Sequence, residues 1–350
     1  MTPGSRRARW IGGVALVAAV AVAVLLIRPW AGSAPLRLEL SGDLAAHDPA
    51  LVVGEEGQPW YVYSTGGGRG SNAPIVRRST DGGHTWEFVG AAWKGADTPA
   101  WVKAAVPGVS NLWAPELVRH DGTWYLYYSA SSFGRNRSVI GLMTGRSLDP
   151  DAPDYGWTDQ GLVVASTSAD GYNAIDPGVV TDADGTPWLF FGSFWGGIQQ
   201  VRLEWPSGKP VAGATPVTVA ARASADSPAN AIEAPYAIRH GDWYYLFVSF
   251  DACCQGVEST YRIAVGRSRQ VTGPFVDGDG RPMLEGGGSI LAASEGDRIG
   301  PGGQSVSGEY LAHHFYDGAR RGAVTLAIDK LGWTVDGWPV LPAADGQESP

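Results

Sequence analysis

Cysteine is nearly absent from this 350-residue chain: there are two, and they are adjacent, Cys253-Cys254. Neighbouring Cα atoms lie about 3.8 Å apart, below the usual disulfide span. A bond between them would need a distorted linking peptide. Outside the cell it would make a rigid, flat, apolar turn; two small buried thiols are the other reading. Charge is also scarce, at 17% of residues, and no basic stripe occurs. The formal charge is −9; without Arg6, Arg7, Arg9 and Arg28, the four arginines of an acid-free first 34 residues, it is −13. A body this acidic repels nucleic acid, so a neutral substrate fits better. Past the N-terminus there is no long apolar run with helical periodicity, which argues against a helical architecture.

Turn-formers and aromatics are abundant instead: 49 glycines, 24 prolines and 15 tryptophans. Five segments repeat a turn signal followed by an aromatic strand. They open at Trp60, Trp124, Trp188, Trp243 and Tyr310, at spacings of 64, 64, 55 and 67 residues. A recurring all-β unit of that size suits a four-stranded propeller blade, so the expected fold is a five-bladed β-propeller. A β-sandwich would not need this long-period repetition.

The first 34 residues read as an export segment. Three arginines precede an apolar run from Ile11 to Ile27, and a small-residue stretch ends at Ala34. That layout fits a signal peptide; the length of the run makes an uncleaved membrane anchor the alternative. Arg6-Arg7 adds a weak twin-arginine signature. Residues 35–350 are then a single propeller domain working outside the cytoplasm, as a monomer, with membrane contact only through such an anchor.

Three acids sit just ahead of a proline: Asp48 in His47-Asp48-Pro49, Asp176 in Ile175-Asp176-Pro177 and Glu233 in Ile232-Glu233-Ala234-Pro235. Proline steers its predecessor to extended geometry and interrupts a central ladder, which predicts each acid at the mouth of a strand. The acids keep step with the repeat, standing 12, 12 and 10 residues ahead of an aromatic strand; Glu116 joins them at 8. Radial symmetry would gather all four on one face of the channel. Carboxylates converging from separate segments suit general acid/base chemistry and point to a glycosidase.

At these residues the chain resembles glycoside hydrolase family 43, and its endo-1,5-α-L-arabinanases most of all, from about Leu44 to Pro342. The likeness rests on His47-Asp48-Pro49, Asn111 to Glu116, Asn173 to Pro177, Phe191 to Ile198, Ile232 to Tyr236, Ser249 to Gly256 and His314 to Asp317. It implies a secreted, inverting hydrolase of arabinan or arabino-oligosaccharides. Asp48 would be the general base, Glu233 the general acid, and Asp176 would raise the acid's pKa and orient it. The resemblance and the aromatic content together nominate Trp113, Glu116, Asn173, Ser193, Phe194, Trp195, Cys253 and Cys254 as substrate-binding.

Two departures stand out. Related arabinanases commonly have Asp where this chain has Glu116. They also commonly have His after Gly-Pro-Gly, helping to hold an ion, often calcium, near the channel centre. Gly300-Pro301-Gly302-Gly303 puts glycine there, which weakens the case for a central calcium and leaves His314 as the residue that could compensate. No cofactor is otherwise expected. Competing readings are an exo-acting arabinofuranosidase or β-xylosidase of the same family, and a carbohydrate-binding propeller without catalysis. A sialidase is disfavoured: Ser79 to Trp86 forms one Asp-box, with no arginine cluster to clamp a carboxylate.

Overall fold

The computed structural model describes residue 1 and residues 35–342, apart from 68–70, 94, 96 and 223–229. The export segment therefore lies outside the described residues, among which no helix is long and apolar enough to cross a membrane. Five mainly antiparallel sheets form a five-bladed β-propeller. From the inside out, blade 1 consists of Ala50–Val52, Trp60–Ser64, Ile75–Ser79 and Thr85–Ala91. Blade 2 is Trp113–His120, Thr123–Ala130, Ser138–Gly145 and Trp157–Ser166. Blade 3 is Gly178–Thr181, Pro187–Phe191, Ile198–Glu204 and Val217–Ala220. Blade 4 is Ile232–His240, Trp243–Phe250, Arg262–Ser268 and Ser289–Ala292.

Blade 5 takes three strands, Arg298–Ser307, Tyr310–Asp317 and Ala323–Lys330, from the end of the chain. Its outer strand comes from the beginning: Leu36–Arg37 pairs with Asp329 and Lys330, so the two ends of the domain close the ring. The five aromatic segments are the second strands. They are apolar on both faces because each blade is sandwiched. Tyr61 and Tyr63 pack toward blade 2, while Trp60 and Val62 pack toward blade 5. The same division recurs around the ring, so the core is a set of five clusters between neighbouring blades.

The acids enter the channel differently from the sequence expectation. Asp48 and Asp176 do precede their strands, but in left-handed rather than extended geometry, with φ of 50° and 59°. Glu116 and Glu233 lie inside strands, where the ladder breaks register around Pro115 and Pro235. Both prolines are preceded by left-handed alanines, Ala114 (φ 40°) and Ala234 (φ 50°). In blade 5 the matching place is Gly303, at φ 59°. Non-glycine residues in this region cost about 1 kcal/mol or more and need local support.

That support is a ring of hydrogen bonds between blades. The Asp48 N–H donates to His314 Nδ1 of blade 5 at 3.1 Å. The Ala114 N–H donates to Thr65 Oγ1 after blade 1's second strand, and Asp176 N–H to Ser129 Oγ of blade 2. Gly303 N–H donates to Ser249 Oγ of blade 4. Each acceptor sits near the end of the preceding blade's second strand. At the remaining joint the pattern changes: Ala234 N–H donates to the Asp176 carboxylate at 3.1 Å, which leaves Ser193 free for another partner.

Candidate active site

The five left-handed residues surround a cavity at the channel axis, with Asp48, Glu116 and Asp176 in its lining. Its volume, about 30 Å³, takes a water or two and not a furanose ring. The acids enter this channel from the face carrying the loops between second and third strands. Those loops supply Thr65, Phe133, Phe194-Trp195, Cys253-Cys254 and the Asp317–Arg321 turn. The Asp-box turn, between a third and a fourth strand, lies on the opposite face. There Asp81 caps it by accepting from Ser79, His84 and Thr85, a structural role.

Asp48 is held as an anion. Burial alone would raise its pKa, but His47, His314 and Thr65 outweigh burial and keep it well below the usual carboxylate range. His47 Nδ1 lies 2.8 Å from Oδ2, and Thr65 Oγ1 donates to the same oxygen at 2.6 Å. The other oxygen, Oδ1, accepts no hydrogen bond from the described residues and is free to take a proton from water.

Glu233 has the opposite bias. Burial pushes its pKa up to about 7, with Asp48 adding to the rise and the Ser193 hydrogen bond and His47 opposing it. Ser193 Oγ donates to Oε2 at 2.5 Å. Asp176 is also raised well above its ordinary value, by burial first and then by Glu233 and Asp48. Buried carboxyls this close disfavour a second negative charge, so the pair retains a proton near neutrality. An anion and a proton donor therefore lie within electrostatic reach of each other, the pairing that single-displacement hydrolysis of a glycoside uses.

The predicted binding residues separate into two groups. Trp195 is 41% exposed, on a turn where both Phe194 and Trp195 are left-handed, at φ 51° and 34°. Phe194 N–H donates to Ile232 O, and Asn230 Nδ2 donates to Trp195 O at 2.6 Å, so this aromatic surface is fixed in place. Trp113 is half-buried at the start of blade 2's inner strand. Cys253 and Cys254 are joined as an adjacent-residue disulfide, with the Cys254 side partly open to solvent. Ser193 is buried on Glu233 and so acts on the acid rather than on open solvent.

Glu116 and Asn173 are placed behind the cleft. Glu116 is 3% exposed and accepts from Val179 N–H across the blade 2–3 joint; burial pushes it up to about 8. Asn173 is 2% exposed and its Oδ1 accepts from Ser138 at 2.6 Å, which anchors the loop leading to Asp176.

Sequence reasoning gave no role to His47, Thr65 or Tyr316. His47 and Tyr316 lie inside two of the motifs and Thr65 directly follows the first aromatic strand, and the signal that could have found Thr65 is the recurring Ser/Thr at the end of four second strands.

The donors at the channel centre do not fit calcium, which prefers six to eight oxygen ligands. His47, Asp48 and His314 do cluster. However, the two rings are stacked at 3.8 Å, and His314 Nδ1 is taken by the Asp48 N–H. A Cβ at Gly303 would meet Asp48 Oδ1 at 2.5 Å and His314 at 2.8 Å, so these side chains already fill the place of a side chain at 303. His314 serves here as a neutral acceptor: burial first, then the neighbouring His47, holds its pKa well below normal.

Known proteins share this arrangement of chain and fold. The chain is 42% identical over 296 residues to the extracellular endo-alpha-(1->5)-L-arabinanase 1 of Bacillus subtilis (strain 168), spanning 84% of this chain and 86% of that one. It is 39% identical over 305 residues to the extracellular exo-alpha-(1->5)-L-arabinofuranosidase ArbA of Cellvibrio japonicus (strain Ueda107), spanning 84% and 85%. The Cellvibrio cellulosa alpha-L-arabinanase solved with arabinohexaose superposes with a TM-score of 0.78 at 37% identity, over 85% of this chain and 96% of that one. Residues 72–339 match the profile of glycosyl hydrolases family 43, and to that family the chain belongs.

Proposed function

We propose that this protein is a secreted endo-hydrolase of (1→5)-α-arabinofuranosidic linkages in arabinan, acting with inversion. The observation that carries the chemistry is the opposed bias of two acids at one channel mouth: Asp48 held anionic, Glu233 held protonated to about pH 7. Asp48 Oδ1 deprotonates a water, which attacks the anomeric carbon. Glu233 delivers its proton to the departing glycosidic oxygen, and Asp176 keeps that proton on the pair and orients it through the Ala234 amide. Phe194, Trp195 and Trp113 offer ring faces to the furanose chain. The names of the relatives support arabinan as substrate and an extracellular site of action. Residues 1–34 would then be the export segment or anchor and 35–350 the catalytic propeller, with no cofactor in the reaction.

An exo mode is the second reading, favoured by the relative named as an exo-arabinofuranosidase. Incubation with linear arabinan separates the two. An early ladder of oligosaccharides supports endo action, and arabinose alone overturns it. Proton NMR of the first-formed anomer tests inversion: a retained α-anomer would sink the single-displacement scheme.

A further inference from the structure

We infer that Tyr316 is a positioning residue for the base, tying the Cys253–Cys254 turn to His47 and through that ring to Asp48. The inference rests on the reading of Asp48 as the base.

The hydrogen bonds run in one direction. Cys254 N–H donates to Tyr316 Oη at 2.7 Å, so the hydroxyl has its own proton to offer. His47 Nε2 lies 3.0 Å from that hydroxyl and accepts it, which leaves the proton of the neutral ring on Nδ1, aimed at Asp48 Oδ2 at 2.8 Å. When His47 is protonated both nitrogens donate, and Tyr316 Oη becomes the acceptor. A single hydroxyl thus serves either state of the ring and opposes a flip that would turn Nδ1 away from the base. Stacking on His314 fixes the ring plane. Other groups facing this pair are Glu233 from blade 4, Asp176 from blade 3 and the Cys254 sulfur, 3.8 Å from His47 Nε2. Tyr316 adds to the long sulfur contact a shorter path, bonding both His47 and the backbone of the disulfide turn.

The disulfide has a defined part in this chain. Closing two adjacent residues into one ring restricts the peptide that carries the Cys254 N–H, and so fixes the donor that orients Tyr316. A phosphine reductant breaks the S–S bond, giving two thiols and, with oxygen from water, a phosphine oxide. The Cys254 amide is then released and Tyr316 loses its first partner.

The test is the pH dependence of kcat/KM for the wild type and Tyr316→Phe, each oxidised and phosphine-treated. Without the hydroxyl, protonated His47 loses an acceptor and supports the Asp48 anion less well. The acid limb should therefore move up by about 0.5–1 pH unit. We expect kcat to fall about 3- to 10-fold with KM little changed, since the base acts in the transition state. Reduction should shift the wild type in the same direction and leave Tyr316→Phe where it is, because both act through one link. The Cys253→Ser/Cys254→Ser double variant reaches the same comparison without a reductant, and its limb should match that of reduced wild type. An unmoved acid limb in Tyr316→Phe, or an equal further shift on reducing that variant, overturns the inference. Asp48→Asn separates the underlying reading: an active Asp48→Asn removes the base assignment itself, whereas an inactive one beside an unshifted Tyr316→Phe removes only the relay.

Discussion

Ser193 Oγ of blade 3 lies 2.5 Å from Glu233 Oε2 of blade 4, at the one joint in the ring where the blade-to-blade amide bond is made by a carboxylate instead. Asp176 has taken over the amide of Ala234, and the serine is turned onto the proposed acid. A hydroxyl donor favours the carboxylate form, so Ser193→Ala should raise the pKa of Glu233 further. The basic limb of kcat/KM, which follows from a pKa of about 7, should move up by about 0.5–1 unit. Loss of orientation should also cost about 10-fold in kcat. A basic limb that stays in place would separate Ser193 from the acid.

The proposed acid and base are tested by isosteric removal. Glu233→Gln and Asp48→Asn should each lower kcat by about 10²- to 10⁴-fold while the far-UV spectrum and melting point stay close to wild type. Wild-type-like turnover in either would take that residue out of the mechanism.

Much of this was legible in the sequence because a propeller writes its symmetry into the chain. The aromatic segments gave the blade count, and the in-phase acids gave the convergence. What could not be read was the turn. Residues before proline prefer extended backbone, yet Asp48 and Asp176 are left-handed, since His314 and Ser129 hold their amides from the preceding blade. Those partners are far away in sequence and follow no local rule. Glu116 does line the channel cavity with Asp48 and Asp176, but its hydrogen bond was hidden for a related reason. Its phase matched the acids, but it follows Pro115 whereas Asp48 precedes Pro49, and the shift sends its carboxyl into the blade 2–3 joint. Ring closure by Leu36–Arg37 was hidden too, because two residues carry no strand signal.

The buried Glu116 has a consequence for stability. Its pKa is about 8 when folded and 4.5 in the reference state, with burial as the cause. Between those values the unfolded chain ionises first while the folded chain keeps the proton. Stability from this group therefore falls as pH rises from about 4.5 to 8, by at most about 1.4 kcal/mol per unit. Glu116→Gln keeps an oxygen for the Val179 amide and removes the titration. Its melting temperature should decline less steeply than wild type from pH 5 to pH 8. Parallel curves would show that Glu116 does not titrate in that window.

Gly303 tests whether the channel centre needs an ion at all. Its φ of 59° and the contacts of an added Cβ with Asp48 Oδ1 and His314 leave no room for a side chain unless the base moves. Gly303→Ala should therefore cost about 1–3 kcal/mol in stability and more than 10-fold in kcat. Gly303→His should behave no better, and adding calcium should not rescue it. Wild-type turnover, in turn, should be unchanged after exhaustive chelation, because two imidazoles and one carboxylate do not form the oxygen cage that calcium prefers. Loss of activity on chelation, restored by calcium, would mean that the His47–Asp48–His314 cluster rearranges to bind metal and that Gly303 spares space for it.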